Sequence, residues 1–103
     1  MADVFAALAE PHRREILDAL VDGEKAVGTI VTELSLAQPQ VSKHLRVLSE
    51  AGLVKVRPDG RRRLYSVEPT RLDPMRAWLA KYEQAMHERL DRVDHYLKEL
   101  QRP

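Results

Sequence analysis

Apolar side chains recur every three or four positions in the first part of the chain, which is the period of an α-helix. A first short helix is predicted around Val4, Phe5 and Leu8. A second helix begins at Pro11, which suits a first helical turn, and Gly23 ends it. The apolar stripe of this second helix is predicted to consist of Ile16, Leu17, Leu20 and Val21.

Two further helices are predicted next, with a short turn between them. The third covers Val27 to Leu34. The fourth starts near Pro39, which a first helical turn tolerates because it does not need the N–H that proline lacks, and Ala51-Gly52 closes it. The side chains expected to face inward are Ile30, Val31 and Leu34 on the third helix and Val41, Leu45 and Leu48 on the fourth.

The pattern changes after the fourth helix. The segments Leu53 to Arg57 and Leu64 to Val67 are rich in residues that favour strands. Pro58-Asp59-Gly60 lies between them and is typical of a turn. The sequence therefore predicts a β-hairpin with three consecutive arginines just after its tip.

A long helix is predicted at the end of the chain, opened by Asp73-Pro74. At 1.5 Å per residue, a helix from Pro74 to Gln101 would span roughly 42 Å, longer than the rest of the domain can cover. Its exposed apolar stripe therefore implies a partner. The stripe is predicted to contain Leu72, Met75, Leu79, Tyr82, Met86, Leu90, Val93, Leu97 and Leu100.

The length of 103 residues allows one small domain, mainly α-helical with a β-hairpin. We expect residues 1–70 to form its helical and hairpin part and residues 71–103 to form the long last helix. A chain this short buries a modest share of its surface alone, and it has no cysteine for a disulfide. The absence of cysteine also excludes a thiolate metal site and a cysteine nucleophile.

Several functional classes receive no support from the sequence. The first ten residues lack the basic start and apolar run of a signal peptide, and no apolar stretch approaches the roughly 20 residues of a membrane span. We therefore expect a cytoplasmic protein with no membrane partner. No nucleophile–base pair or carboxylate pair stands out, so we predict neither an enzyme nor a cofactor.

The net charge of +1 conceals an uneven distribution along the chain. Residues 38–63 carry seven basic and two acidic side chains, a net charge of +5. Residues 1–37 carry a net charge of −4, and residues 64–103 are balanced. A polyanion near the middle segment would experience a strongly basic surface, although a solvated basic face is the alternative explanation.

Two helices separated by a tight turn, followed by a basic hairpin, have the layout of a winged helix-turn-helix. The major groove of DNA is about 12 Å wide and admits one helix, which must be apolar at its rear and polar at its front. We predict a recognition helix over about residues 38–51. A helical projection places Gln40 and Val47 on its flank. Its front is predicted to carry Pro39, Ser42, Lys43 and Arg46.

Each part of this layout suggests particular DNA contacts. Gln38 and Gln40 lie at the N-terminal end of the recognition helix, where base edges are usually reached, and a glutamine can pair with adenine through two hydrogen bonds. The hairpin, or wing, at about residues 57–63 would neutralise phosphates or enter a minor groove, with Arg61 and Arg63 on one face and Arg62 on the other. The candidate DNA contacts are Gln38, Pro39, Gln40, Ser42, Lys43, His44, Arg46, Arg57, Arg61, Arg62 and Arg63, although packing is favoured over base contact for His44.

Three separated motifs resemble the ArsR family of small bacterial and archaeal repressors. The motifs are LAEPHRREIL at Leu8 to Leu17, LAQPQVSKHLRVLSEAGLV at Leu36 to Val54, and GRRRLYSV at Gly60 to Val67. The resemblance implies a winged-helix dimer that occupies an operator until an effector lowers its affinity for DNA. Ala37 departs from the family pattern, in which serine often precedes Gln-Pro, and this weakens a helix N-cap by about 1 kcal/mol.

The resemblance also implies that a second copy of the chain is the partner, joined largely through the first and last helices. A two-fold dimer would bind an inverted-repeat DNA operator with half-sites about one helical turn apart. The expected dimerisation residues are Val4, Phe5, Leu8, Met75, Trp78, Leu79, Tyr82, Met86, Leu90, Val93 and Leu97.

Some members of the family sense metals, which raises the question of a metal site. His87, Asp91 and His95 recur every four residues on one face of the last helix and could bind zinc or nickel across a dimer. The family's Asp-x-His start and paired terminal histidines are not reproduced, and such side chains beside an apolar stripe are commonly flank residues of a helix pair. We therefore predict no metal, keep the metal-responsive repressor as an alternative, and leave the effector open.

A protein-interaction module is the alternative from another functional class. In that hypothesis the long last helix binds a different protein and the winged domain is a scaffold. The charge of +5 in residues 38–63 and the polar front of the fourth helix argue against it. We therefore predict a sequence-specific DNA-binding regulator, acting as a homodimeric repressor.

Overall fold

The computed structural model describes residues 3–102. The chain divides between Leu72 and Asp73 into two compact units. The first unit contains α1 (Val4–Leu8), α2 (Pro11–Leu20), β1 (Lys25–Ala26), α3 (Val27–Leu34), α4 (Gln38–Glu50), β2 (Val54–Asp59), β3 (Arg62–Val67) and a 3₁₀ helix (Pro69–Leu72). The second unit consists of α5 (Asp73–Leu100) and the residues after it.

Helices α2, α3 and α4 enclose the core of the first unit. The predicted inward residues of α4 are buried, and Ile30 anchors α3, with Val31 and Leu34 packed against the core at its edge. The prediction for Val21 was wrong, because its side chain is 74% exposed. Helix α2 ends at Leu20, so Val21 is the C-cap residue, beyond the last residue of the helix that packs into the core. The largest fully buried side chains are Ile16, Ile30, Val41, Leu45, Leu48 and Leu53.

The start of α4 agrees with the sequence. Ala37 is the N-cap residue, with extended backbone, and its methyl side chain makes no capping hydrogen bond. Pro39 lies in the first turn. At the other end, Gly52 has φ +76°, and an added Cβ would lie 2.8 Å from Nε of Arg71. The exit from α4 therefore needs glycine for both its conformation and its space.

The hairpin forms, but its turn begins two residues later than predicted. Pro58 and Asp59 continue β2 and pair with Arg63 and Arg62, leaving Gly60 and Arg61 as a two-residue loop. The strand order is β1-β3-β2, so β2 is an edge strand, where proline costs no essential hydrogen bond. Gly60 has φ +62°, the positive value that short hairpin loops favour. The short strand β1 was not predicted.

Helix α5 has no buried side chain within the described chain. It starts one residue before the predicted Pro74, after a 3₁₀ helix that the sequence pattern did not reveal. The Trp78 and Tyr82 rings pack with centroids 5.0 Å apart. Among residues 3–102, no helix combines the length and apolar character that crossing a membrane requires.

The uncapped start of α4 generates a stability prediction. Ala37→Ser supplies a hydroxyl that can accept from a free N–H of the first turn, so we expect the free energy of unfolding to rise by about 1 kcal/mol. Urea unfolding at a fixed protein concentration measures the change. Ala37→Val is the matched control, since valine cannot cap; an equal gain from valine would contradict the capping explanation.

Candidate DNA-binding surface

The residues that the helical projection placed at the front of α4 are all exposed. Pro39, Ser42, Lys43 and Arg46 are exposed, as is Gln38 at the first position of the helix. Gln40 is half-buried on the flank. We call the exposed face of α4 its front. The front combines a hydroxyl, two cations and a terminal amide, the groups that bind phosphates and base edges.

His44 does not lie on this front. It is only 8% exposed, because it is three residues from Val41 and four from Leu48 on the buried side of α4. Its Nε2 lies 3.7 Å from Oε2 of Glu10, and its buried Nδ1 has no hydrogen-bond partner among residues 3–102. This placement corrects the inclusion of His44 among candidate DNA contacts and favours the packing interpretation.

A polar cluster joins the start of α2 to the flank of α4. Glu10 is the N-cap of α2 and accepts a hydrogen bond from the Arg13 N–H at 3.1 Å. Its other carboxylate oxygen lies 3.6 Å from Nδ1 of His12. Nε2 of Gln40 donates to the same Nδ1 at 3.2 Å, and the rings of His12 and His44 lie 5.8 Å apart. Sequence analysis missed this cluster, since no local pattern links residues 28 positions apart.

The charges in this cluster oppose one another. Burial lowers the pKa of His44; the Glu10 carboxylate acts in the opposite direction, and the cations of Arg13 and Lys43 reinforce the effect of burial. Burial raises the pKa of Glu10, but the Arg13 N–H and the two histidines outweigh it, so that this pKa lies below its ordinary value. At neutral pH the cluster therefore pairs an ionised carboxylate with a neutral His44.

One group of side chains among the described residues could hold a metal ion, and it consists of Glu10, His12 and His44. Their ligand atoms lie within 4.8 Å of one another, although Glu10 already accepts from Arg13 and His12 from Gln40. The alternative metal residues His87, Asp91 and His95 lie on one face of α5 but extend over about 12 Å of its axis. A metal site there would need ligands from a second chain.

Two of the four wing arginines are engaged within the chain. Nε of Arg57 donates to Glu24 at 2.8 Å, and this bond lowers the pKa of the Glu24 carboxyl. Arg62 donates to Asp59 at 2.8 Å and lowers the pKa of that carboxyl. Arg61 lies in the turn rather than in a strand, so the predicted alternation applies only to the arginines of β3.

Arg61 and Arg63 are exposed beside these engaged arginines. Their guanidinium groups have no acidic partner among the ion pairs found in residues 3–102. A phosphate can therefore approach them without displacing a carboxylate of the protein. The two positions are the better candidates for contact with DNA backbone.

The expected dimerisation residues divide into two groups. Val4 and Leu8 are half-buried against the core, and Met75 is half-buried on α5, whereas Phe5 is 40% exposed. The remaining residues form an exposed apolar stripe on α5. The stripe contains Trp78, Leu79, Tyr82, Met86, Leu90, Val93 and Leu97.

These features define a winged helix-turn-helix DNA-binding domain. Residues 8–57 match the model of a helix-turn-helix domain family. The chain is similar to an HTH-type transcriptional regulator of Mycobacterium tuberculosis, with 43% identity over 76% of this chain and 73% of the relative. It is also similar to the transcriptional repressor SdpR of Bacillus subtilis, with 32% identity over 80% of this chain and 91% of SdpR.

Solved structures agree with the sequence relatives. One is described as an ArsR family transcriptional regulator, with 30% identity, a TM-score of 0.70 and coverage of 81% of this chain and 91% of that one. Another is the homodimeric winged helix-turn-helix DNA-binding domain of a possible ArsR-family regulator from Mycobacterium bovis, with 32% identity, a TM-score of 0.65 and coverage of 79% and 75%. The chain belongs to the ArsR family of DNA-binding transcriptional regulators.

The burial of His44 generates a pH prediction. In the unfolded chain His44 takes up a proton at the ordinary histidine pKa, whereas in the folded chain it does so only at lower pH. The free energy of unfolding is therefore highest above the ordinary pKa and decreases as the pH is lowered through it. The groups near His44 are Glu10, His12, Arg13 and Lys43. Urea unfolding between about pH 7.5 and about pH 5.5 should therefore show decreasing stability.

His44→Leu removes this titrating group and should flatten the pH dependence. His87→Asn, on exposed α5, is the control and should retain the wild-type dependence. An undiminished dependence in His44→Leu would show that another group is responsible.

Proposed function

We propose that the protein is a homodimeric repressor that binds an inverted-repeat operator. Each copy places the front of α4 in one major groove, and the two copies occupy successive grooves on one side of the duplex. The observation that carries the proposal is the exposed front of α4 over a fully buried apolar rear, within a segment of net charge +5. The likeness to a relative named as a repressor supports repression as the mode of action.

The proposed contacts follow from exposure and chemistry. Gln38 and Gln40 recognise base edges, and Ser42, Lys43 and Arg46 bind phosphates or a guanine around them, with Pro39 on the same front. The wing binds the backbone or a minor groove, chiefly through the exposed arginines. His44 supports the helix from inside. The protein needs no catalysis for this function and acts on DNA in the cytoplasm.

We propose that residues 71–103 serve dimerisation, and residues 1–70 DNA binding. A second copy of the chain covers the apolar stripe of α5, as supported by the homodimeric state of the similar domain from M. bovis. A stripe of half-exposed tryptophan, leucine, tyrosine, methionine and valine along one helix is the kind of apolar surface that marks a protein–protein contact.

Selection from random duplex DNA tests the function directly. We expect an enriched inverted repeat whose half-site centres lie about 10 base pairs apart or a multiple of that spacing. The selected duplex should compete effectively against random DNA at physiological salt. Failure to bind any duplex in dilute salt would contradict the proposal and favour the protein-interaction alternative.

The wing arginines should differ in their electrostatic contribution. Arg63→Ala removes a cation with no acidic partner, so the slope of log K against log salt should fall by about 0.9 per contact, or roughly 1.8 per dimer. Arg62→Ala should change the slope less, because Asp59 already neutralises that guanidinium. Binding to the selected duplex over a series of salt concentrations measures the slopes.

Arg76→Ala is the matched control, since Arg76 lies on α5 and pairs with Asp73. It should leave the slope unchanged. A slope for Arg63→Ala equal to that of the control would remove Arg63 from the DNA footprint.

The apolar stripe generates a prediction about assembly. Leu90→Lys places an ammonium group in the proposed interface, where its desolvation is costly, so we expect monomers at micromolar concentration and a loss of operator binding. Sedimentation velocity measures the assembly state. Gln84→Lys adds the same charge away from the stripe and should leave the dimer intact; dimerisation by both variants would show that another surface joins the copies.

A further inference from the structure

Gln40 is held by a residue outside the recognition helix. Its Nε2 donates to Nδ1 of His12 at 3.2 Å, in a half-buried contact between the first turn of α2 and the flank of α4. The His12 ring lies beside the His44 ring, with the two centroids 5.8 Å apart. The amide of Gln40 is therefore anchored at its nitrogen end.

The chemistry of this bond fixes the proton on His12. An amide nitrogen can only donate, so Nδ1 of His12 must present its lone pair, and the ring proton lies on Nε2. The Gln40 amide has two hydrogens on nitrogen and lone pairs on oxygen. One hydrogen is committed to His12, which leaves one donor and the Oε1 acceptor for a base.

This remaining pair of groups matches one purine and not the other. In the major groove, adenine offers an acceptor at N7 and a donor at N6, whereas guanine offers two acceptors, N7 and O6. One donor and one acceptor satisfy adenine. To bind both guanine acceptors, Gln40 would need both of its amide hydrogens, and one of them is already bonded to His12. Guanine would also place its O6 acceptor against Oε1 of Gln40, which is an acceptor too.

We propose that His12 is a positioning residue that determines specificity, holding Gln40 so that it accepts adenine and rejects guanine. The inference rests on the proposed function, in which Gln40 faces a base. Without the acceptor on His12, the terminal torsion of glutamine is broad and nearly two-fold, so the amide can turn both hydrogens toward guanine. His12 thereby sets base preference without touching the DNA.

The experiment first locates the base that Gln40 contacts. Gln40→Ala and the wild type are compared on duplexes that carry each base at each half-site position, and the position where Gln40→Ala loses preference is the one tested further. At that position we expect His12→Leu to lower the adenine-over-guanine affinity ratio by about tenfold. His12→Phe keeps a ring of similar size without the lone pair and should do the same.

His12→Asn provides the rescue. Its Oδ1 can accept from Gln40 near the position of Nδ1, so the adenine preference should be retained. Glu15→Leu is the control, an exposed change on α2 that lies outside the polar cluster. Thermal unfolding and sedimentation should show that each variant remains folded and dimeric.

The outcomes separate this inference from the function beneath it. If no position loses preference in Gln40→Ala, Gln40 is not a base contact and this inference is overturned, whereas the proposed function fails only if the wild type binds no duplex. If a position is found but His12→Leu and His12→Phe keep the wild-type ratio there, the inference alone is overturned. The inference would also be overturned if His12→Asn lowered the adenine-over-guanine affinity ratio as much as His12→Leu does. Packing rather than hydrogen bonding would then explain the effect.

Discussion

Burial of the apolar rear of α4 is the constraint on which the rest of the structure depends. Val41, Leu45 and Leu48 are 0–1% exposed, and helices α2 and α3 pack against that helix. A rotation of α4 by one residue, about 100°, would bring Ser42 toward the core and expose Val41, which loses apolar burial and leaves a polar group unsatisfied. The exposed front of α4 is therefore fixed by the core beneath it.

A polar linkage supplements this packing where α2 meets α4. Glu10 accepts a hydrogen bond from the Arg13 N–H at the start of α2 and lies near both His12 and His44, while Nδ1 of His12 accepts from the Gln40 amide. Hydrophobic packing fixes the direction of the helix but not the orientation of a terminal amide. A directional hydrogen bond can do so, and His12 of α2 supplies one to the Gln40 amide on α4.

Local charge matters more in this protein than its total charge. The net charge is only +1, yet the segment that contains α4 and the wing carries +5. Two wing arginines are engaged by Glu24 and Asp59, whereas Arg61 and Arg63 have no acidic partner among the ion pairs found in residues 3–102. Since salt screens exposed charges beyond about 10 Å, we expect a nearby polyanion to respond to this local excess rather than to the total charge.

The sequence by itself determined the helices and the exposed face of the recognition helix, because a period of 3.6 residues and the turn signals are local properties. It also indicated the hairpin and the apolar stripe of α5. Only the tertiary structure decided that Val21 is exposed, that the wing turns at Gly60 and Arg61, and that His44 faces inward. The contact of His12 with Gln40 was equally hidden, since it joins residues 28 positions apart and exists only once α2 and α4 have packed.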